Sequence, residues 1–247
     1  MILRQLLHTT PAIGASYLLG CASKHAGAVV DPMAAPDEYL QLAADVGMEI
    51  KYVIDTHVHA DHLSTGRDLA AKANASYVLH DSVHGDFDFL PVSDGERLIV
   101  GNTHLEVMHL PGHTPEHIGL LVTDAARAAE PWFVLTGHTL MVGDMGRTEL
   151  ATSAEEGARA LFRSAARLRM LPDHIEVLPG AFAGSVCGRG LSGKATTTIG
   201  FERRFNRSFS IDDETTFVYA MLRDIPPQPP NAASVRSANL GRQLVAV

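Results

Sequence analysis

The stretch "THVHADH", Thr56 to His62, places three imidazoles and a carboxylate directly after the apolar run "YVID". His and Asp withdrawn from water cost several kcal/mol unless something pairs with them. Packing therefore gives no reason for the cluster, and a bound cation does. His57 and His59 alternate along an extended segment and can converge on one ion where that segment curves at a strand end, while Asp61 and His62 point elsewhere. Ten of the 13 histidines lie between His57 and His138. A second group, "LPGHTPEHIG", sets His113 after Pro111-Gly112, a tight turn that can swing its ring back towards the first loop. Neutral imidazole binds zinc or iron well, and a mixed His and carboxylate set with open positions suits catalysis better than a closed structural site.

Outward from this motif, the chain reads as strands alternating with helices. "GAVVDP" is a strand closed by Asp31-Pro32, and "PDEYLQLAADVG" is a helix with Pro36 in its first turn and Gly47 at its end. "IKYVID" is a buried strand that delivers the histidine loop. "STGRDLAAKAN" carries a short helix with Ser64 as its cap, and "SYVLH" is another strand. "RLIVGNTHLEVMH" has apolar runs on both sides of Gly101-Asn102 and predicts a hairpin. "HIGLLV" and "WFVLTG" add two strands, and "SAEEGARALFRSAARLRML" is an amphipathic helix capped by Ser153. Beyond "IEVLPG" the chain turns Gly-rich, then basic. No repeat and no strong internal boundary interrupts residues 1–247, so one α/β domain is expected, ending in a Pro-rich tail from about residue 226.

Composition narrows the function classes. With 247 residues, 46% hydrophobic and 19% charged, the chain can bury a sizeable core. A net charge of −8 with scattered Lys and Arg excludes a phosphate-backbone partner, so no nucleic acid is expected. No apolar run approaches the roughly 18 residues of a membrane span. Cys21 and Cys187 are the only two cysteines, which argues against a disulfide framework and for a reducing, cytoplasmic setting. "YLLGC" resembles a lipoprotein cleavage box, but "HTTPAIGAS" before it is too polar and too broken by Pro11 and Gly14 for a signal core. The first strands of the domain are expected there instead.

On these residues the chain resembles the metallo-β-lactamase fold superfamily, whose hallmark is H-x-H-x-D-H at a strand end. Within it, the chain is similar to a glyoxalase II-like branch that contains persulfide dioxygenases. "VVDP", "DTHVHADHLSTGRDLA", "LPGHTPEHIGLLV", "LTGHTLMVGDMGRTEL", "LPGAFAGSVCGR" and "TIGFERRFN" follow that branch's order over almost the whole chain. The resemblance implies an αββα sandwich with its site at one edge of two facing sheets.

Two departures fall on ligand positions. Where the branch reads T-G-D, with the Asp a metal ligand, this chain has His138. Where it reads P-G-H-G, this chain has Ala181 followed by Phe182. A carboxylate can bridge two metals through two oxygens, whereas a neutral imidazole offers one lone pair. One metal per chain is therefore expected.

The branch pattern implies His57, His113 and His138 as ligands of a single Fe(II). The net charge of that site rises from about +1 to about +2 by ligand counting, which favours an anionic thiolate or persulfide. His59, Asp61 and His62 would orient ligands and accept protons around it, with Asp61 and His62 as the candidate catalytic groups. If His138 swings away, His57, His59 and His113 make the three-histidine set typical of Zn2+. Arg147 is a candidate for a substrate carboxylate, with a structural salt bridge as its alternative. Asp144, six residues beyond the ligand position, reads as a turn or capping residue, and Cys187 matches a family cysteine but is expected to be a buried, inert thiol. His80, His84, His104 and His109 are expected around the site or at the surface.

Three functions follow from the resemblance. The first is an Fe(II) persulfide dioxygenase that oxidises a thiol persulfide to sulfite. The second is a mononuclear zinc hydrolase of glyoxalase II type, with Asp61 assisting as a base on a thioester or lactone. The third is a repurposed, non-catalytic relative, against which the intact "THVHADH" and His113 argue. The partner expected is a small-molecule thiol or thioester, and a homodimer is a reasonable expectation for the fold.

Overall fold

A strand buried at every position needs cover on both faces, and Gly14–Cys21, Ala26–Val30 and Phe133–Gly137 all have that property. The computed structural model, which describes residues 1–223 and 225–242, provides the cover in four layers. One six-stranded sheet runs in sequence order: β1 (Ile2–His8), β2 (Gly14–Cys21), β3 (Ala26–Val30), β4 (Glu49–Ile54), β5 (Ser76–His80) and β6 (Leu90–Val92). The other six-stranded sheet holds β7 (Arg97–Val100), β8 (Thr103–His109), β9 (Ile118–Asp124), β10 (Phe133–Gly137), β11 (Glu176–Pro179) and β12 (Thr197–Thr198), again as neighbours in order. Helices α1 (Pro36–Asp45) and α2 (Gly66–Ala73) cover the first sheet. Helices α3 (Ala154–Arg169), α4 (Ile199–Phe205) and α5 (Glu214–Leu222) cover the second, and α6 (Ala232–Asn239) follows.

The pleat sorts side chains between layers. Tyr17, Leu19, Ala28 and Val30 join the core between the sheets with Leu105, Val107, Leu120, Phe133 and Leu135. Their neighbours Leu18 and Val29 turn the other way, onto Tyr39, Ala43 and Leu69. In the second sheet Leu121, Val134 and Val177 pack with Leu161, Ala165 and Phe217 on the helical side. Each large side chain buried in this way contributes about 1.5–3 kcal/mol, so the inter-sheet core fixes how the two sheets face. This is the expected αββα sandwich.

β3, β4, β5 and β6 pair in parallel, as do β10 and β11. The carboxyl ends of β3, β4, β10 and β11 carry Asp31, the histidine loop, His138 and Ala181. The Ser153 hydroxyl caps α3 by accepting from the Glu156 N–H. α2 differs from expectation: it starts at Gly66 with Thr65 before it, and the Ser64 hydroxyl accepts from the Gly66 N–H instead. The "YLLGC" segment forms the end of β2. The Pro-rich tail carries α6, which packs back onto the histidine loop. Among the described residues no helix is long and apolar enough to cross a membrane.

Candidate metal centre

Asp31 ends β3 at φ 50°, a left-handed conformation that Asp tolerates better than most residues. From there its carboxylate accepts from the Thr56 N–H at 2.7 Å and from the Thr56 hydroxyl at 2.9 Å. Having donated its proton, the Thr56 hydroxyl can only accept from His57 Nδ1–H, 3.0 Å away. The lone pair of His57 is thereby left on Nε2, which is buried without a partner. An orphaned buried polar atom carries a desolvation penalty, and a cation at Nε2 removes it.

His113 is fixed by the same logic. Its turn depends on Gly112, at φ 144°, where a Cβ would come within 2.5 Å of the Leu161 backbone. His113 Nδ1 lies 2.8 Å from the Arg147 carbonyl, which can only accept, so Nε2 again holds the lone pair. His138 follows Gly137, where a Cβ would stand 2.6 Å from Thr56 Oγ1 and 2.7 Å from His117 Nε2. His138 Nδ1 lies 3.3 Å from His113 Nε2. One nitrogen from each of His57, His113 and His138 lies within 4.8 Å of the others. Burial, followed by neighbouring histidines, pushes His57 and His113 well below the ordinary histidine range; burial also lowers His138. Neutral imidazoles are the ligand form, so this donor set fits a transition-metal ion.

His59 does not join that set. It groups with Asp61 and His62 on one side and with Asp31 and Asp55 on the other. Burial disfavours its charge, but the 3.3 Å contact to Asp31 and the charges of Asp31, Asp55 and Asp61 outweigh burial and raise its pKa to about 9. His59 Nδ1, like His57 Nε2, is buried without a partner, but His59 is grouped with the carboxylates and His62 and not with His57 and His113. Asp61 stays ionised: burial opposes this, but the His62 Nδ1 contact at 3.0 Å and the nearby histidines prevail.

Arg147 is corrected from a substrate ligand to a staple. Its guanidinium is committed to Glu149 and to the carbonyls of Val186, Pro226 and Pro227. These contacts use all five N–H donors and leave none for a substrate carboxylate. Its backbone serves the centre, through the carbonyl that orients His113. Asp144 is a buried hub bound to Arg189 and Ser208. His80 and His109 stack on each other at 4.0 Å, outside the ligand groups.

Sequence reasoning missed several supports. His117, four residues past His113, is fully buried and stacks on His57 at 4.8 Å. Its Nε2 accepts from the His138 N–H at 3.1 Å, leaving Nδ1–H for the Thr139 hydroxyl at 3.0 Å. That bond spends its lone pair, so His117 orients the ligand His138 and does not bind metal itself. Helix α6 straps the histidine loop. The Asn239 amide donates to the carbonyls of His59 and His62 at 2.9 Å each, and Arg236 donates to the Val58 carbonyl and to both oxygens of Glu116. Glu116 in turn accepts from the Val58 N–H. Only the position of His117 in "PGHTPEH" could have signalled its role; nothing in the Pro-rich tail announced the strap.

No family model matches the chain. Among solved structures, a metallo-β-lactamase from Staphylococcus aureus is 34% identical with a TM-score of 0.90, covering 99% of this chain and 74% of that one. ETHE1 from Myxococcus xanthus is 28% identical with a TM-score of 0.83, over 97% of this chain and 98% of that one. Human mitochondrial persulfide dioxygenase ETHE1 is 25% identical over 91% of this chain and 82% of its own length. Matches to hydrolases are shorter. The chain spans 54% of a protein named probable metallo-hydrolase from Burkholderia pseudomallei. It spans 63% of hydroxyacylglutathione hydrolase from Synechococcus, at 32% identity. A donor set built at the strand ends of two facing sheets, together with near-complete overlap at 34% identity, shows that this chain belongs to the metallo-β-lactamase fold superfamily.

Proposed function

We propose that this protein is a mononuclear iron-dependent enzyme that oxidises a small thiol persulfide. The observation that carries oxidation over hydrolysis is the extent of the likeness to persulfide dioxygenase, while the convergence of three imidazoles with no carboxylate among them supports a single ion. Ala181, 1% exposed, occupies the place where the related branch has a further histidine. The likeness to persulfide dioxygenase also covers 91% of the chain, against 66% for the Synechococcus hydrolase.

A bound Fe(II) would supply open positions for sulfur and oxygen. The chain's own residues do the rest. The Asp31–Thr56 pair holds His57 with Nε2 outward, the Arg147 carbonyl does the same for His113, and His117 fixes the backbone of His138. Three neutral ligands leave the ion's charge uncompensated, which favours an anionic thiolate. The Asp61 carboxylate, steadied by His62, stays ionised and sets a fixed negative charge beside the ring cluster. Burial of the ring cluster excludes bulk water and strengthens each of these interactions. The free thiols Cys21 and Cys187 accord with a reducing, cytoplasmic setting.

A second reading is a zinc hydrolase acting on a thioester, favoured by the all-imidazole donor set, which is a known catalytic zinc arrangement. An oxygen electrode separates the two. Oxygen uptake that depends on glutathione persulfide supports the dioxygenase. Thioester cleavage without oxygen uptake moves the assignment to the hydrolase, and neither activity, with no metal bound, leaves a repurposed relative.

A further inference from the structure

The metal centre uses only one end of the second sheet. His138 and Ala181 follow the carboxyl ends of β10 and β11, whereas Trp132 precedes β10 and Glu176 opens β11. Strand spacing sets these two ends about 15 Å apart. At the Trp132 end lies a cavity of about 590 Å³, within the range that takes a small molecule. Trp132 and Phe201 line it and are 50% and 54% exposed, so both rings are open to a ligand. No ligand of the metal centre lines this cavity. We propose that it binds a small organic ammonium ion, held against the Trp132 and Phe201 rings and by the Glu176 carboxylate.

The charge of the ligand follows from the groups that face it. Glu176 is part-buried, and among the described residues its carboxylate has no hydrogen-bond or ion-pair partner. A charge drawn out of water without a partner is costly, and a cation removes that cost. The Glu176 N–H donates to the Trp132 carbonyl at 3.3 Å, which anchors carboxylate and indole on neighbouring segments of one sheet. Aromatic faces attract cations, indole most strongly. Trp132 already does so: the Arg127 guanidinium lies 5.9 Å from its ring centroid.

Lys194 is the one Lys or Arg that lines the cavity, and its ammonium is already bonded to the Thr196 carbonyl and hydroxyl. The charge left without a partner is therefore negative. His174 also lines the cavity and, while neutral, can accept a hydrogen bond from a primary amine. A smaller cavity of about 330 Å³ shares Trp132 and His174. Its buried carboxylate, Asp124, is taken by the Met1 ammonium and Arg127, so Glu176 is what sets the larger cavity apart.

Titrating the full-length chain with tetramethylammonium chloride, against sodium chloride at the same ionic strength, tests the proposal through the emission of Trp132, the only tryptophan. A saturable change is expected with tetramethylammonium and none with sodium. Glu176→Gln keeps the shape without the charge and should weaken binding about tenfold, with circular dichroism confirming its fold. Phe201→Leu should weaken binding by a smaller factor. Lys194→Met should tighten it, because it removes a like charge. No saturation by about 10 mM, in emission and in calorimetry, overturns the site, as does binding that Glu176→Gln leaves unchanged. Benzoate that binds in place of tetramethylammonium and is lost in Lys194→Met reverses the ligand's charge and also overturns it. Metal content should be the same in all three variants, so the outcome is independent of the choice between oxidation and hydrolysis.

Discussion

Acidifying the metal-free protein should unfold it steeply, because His57, His113 and His117 are buried as neutral rings. Burial, then neighbouring histidines, holds all three well below the ordinary value of 6.5. Below pH 6.5 the unfolded chain takes up protons that the folded chain refuses, so stability falls as pH falls. Each such proton contributes about 1.4 kcal/mol per pH unit, and three give an upper limit of about 4 kcal/mol per unit. Against a total stability of about 5–15 kcal/mol, two pH units remove much of the fold. His59 acts in the opposite sense: with a folded pKa of about 9, its stabilisation is complete below pH 6.5 and lost as pH rises through 9. The metal-free protein should therefore be most stable near pH 6.5, declining steeply on the acid side and more gently towards pH 9. Urea unfolding followed by circular dichroism, from about pH 5 to about pH 9, measures the slope. His117→Gln should lower the acid slope by about 1.4 kcal/mol per unit, and bound metal should flatten it. A metal-free unfolding midpoint that stays level from about pH 7 to about pH 5.5 would refute the reasoning.

Further consequences concern single contacts. Arg236→Met leaves the Glu116 carboxylate buried without its partner and should cost about 3 kcal/mol in urea unfolding, with Glu116→Gln in the same chain recovering part of it; no recovery would mean that the strap is not coupled through this pair. Ser153→Ala removes the α3 cap and should cost about 1 kcal/mol, measured as a lower thermal midpoint with metal content unchanged. His138→Asp combined with Ala181→His restores the branch's ligands and should raise bound metal from about one to about two ions per chain; unchanged stoichiometry on elemental analysis would sink the bridging argument.

The layers of this fold were legible because strong periodic segments announced themselves. The strands "IKYVID" and "SYVLH", the Gly101-Asn102 hairpin and the Ser153-capped helix all lie where their patterns put them. β6 and β12 have three and two residues, too few for any periodicity, and α5 and α6 lie in the basic and Pro-rich end, where no apolar stripe marked them. At the site, His57, His113 and His138 are brought together as the family pattern implied, but His59 is not. Its partner Asp31 lies 28 residues earlier, at the end of a different strand, and no local spacing reveals that pairing. Arg147 misled for a related reason: a guanidinium looks equally suited to a ligand carboxylate and to loop carbonyls until the Pro226–Pro227 segment folds over it.

Elemental analysis of the protein purified without added metal, alongside His57→Ala and His113→Ala, tests the central claim most directly. About one iron per chain in the unsubstituted protein, with iron lost from both variants while circular dichroism shows them folded, is the predicted result. Iron content that survives both substitutions, or a folded parent protein that carries no transition metal and takes up none, would contradict a centre built on His57, His113 and His138.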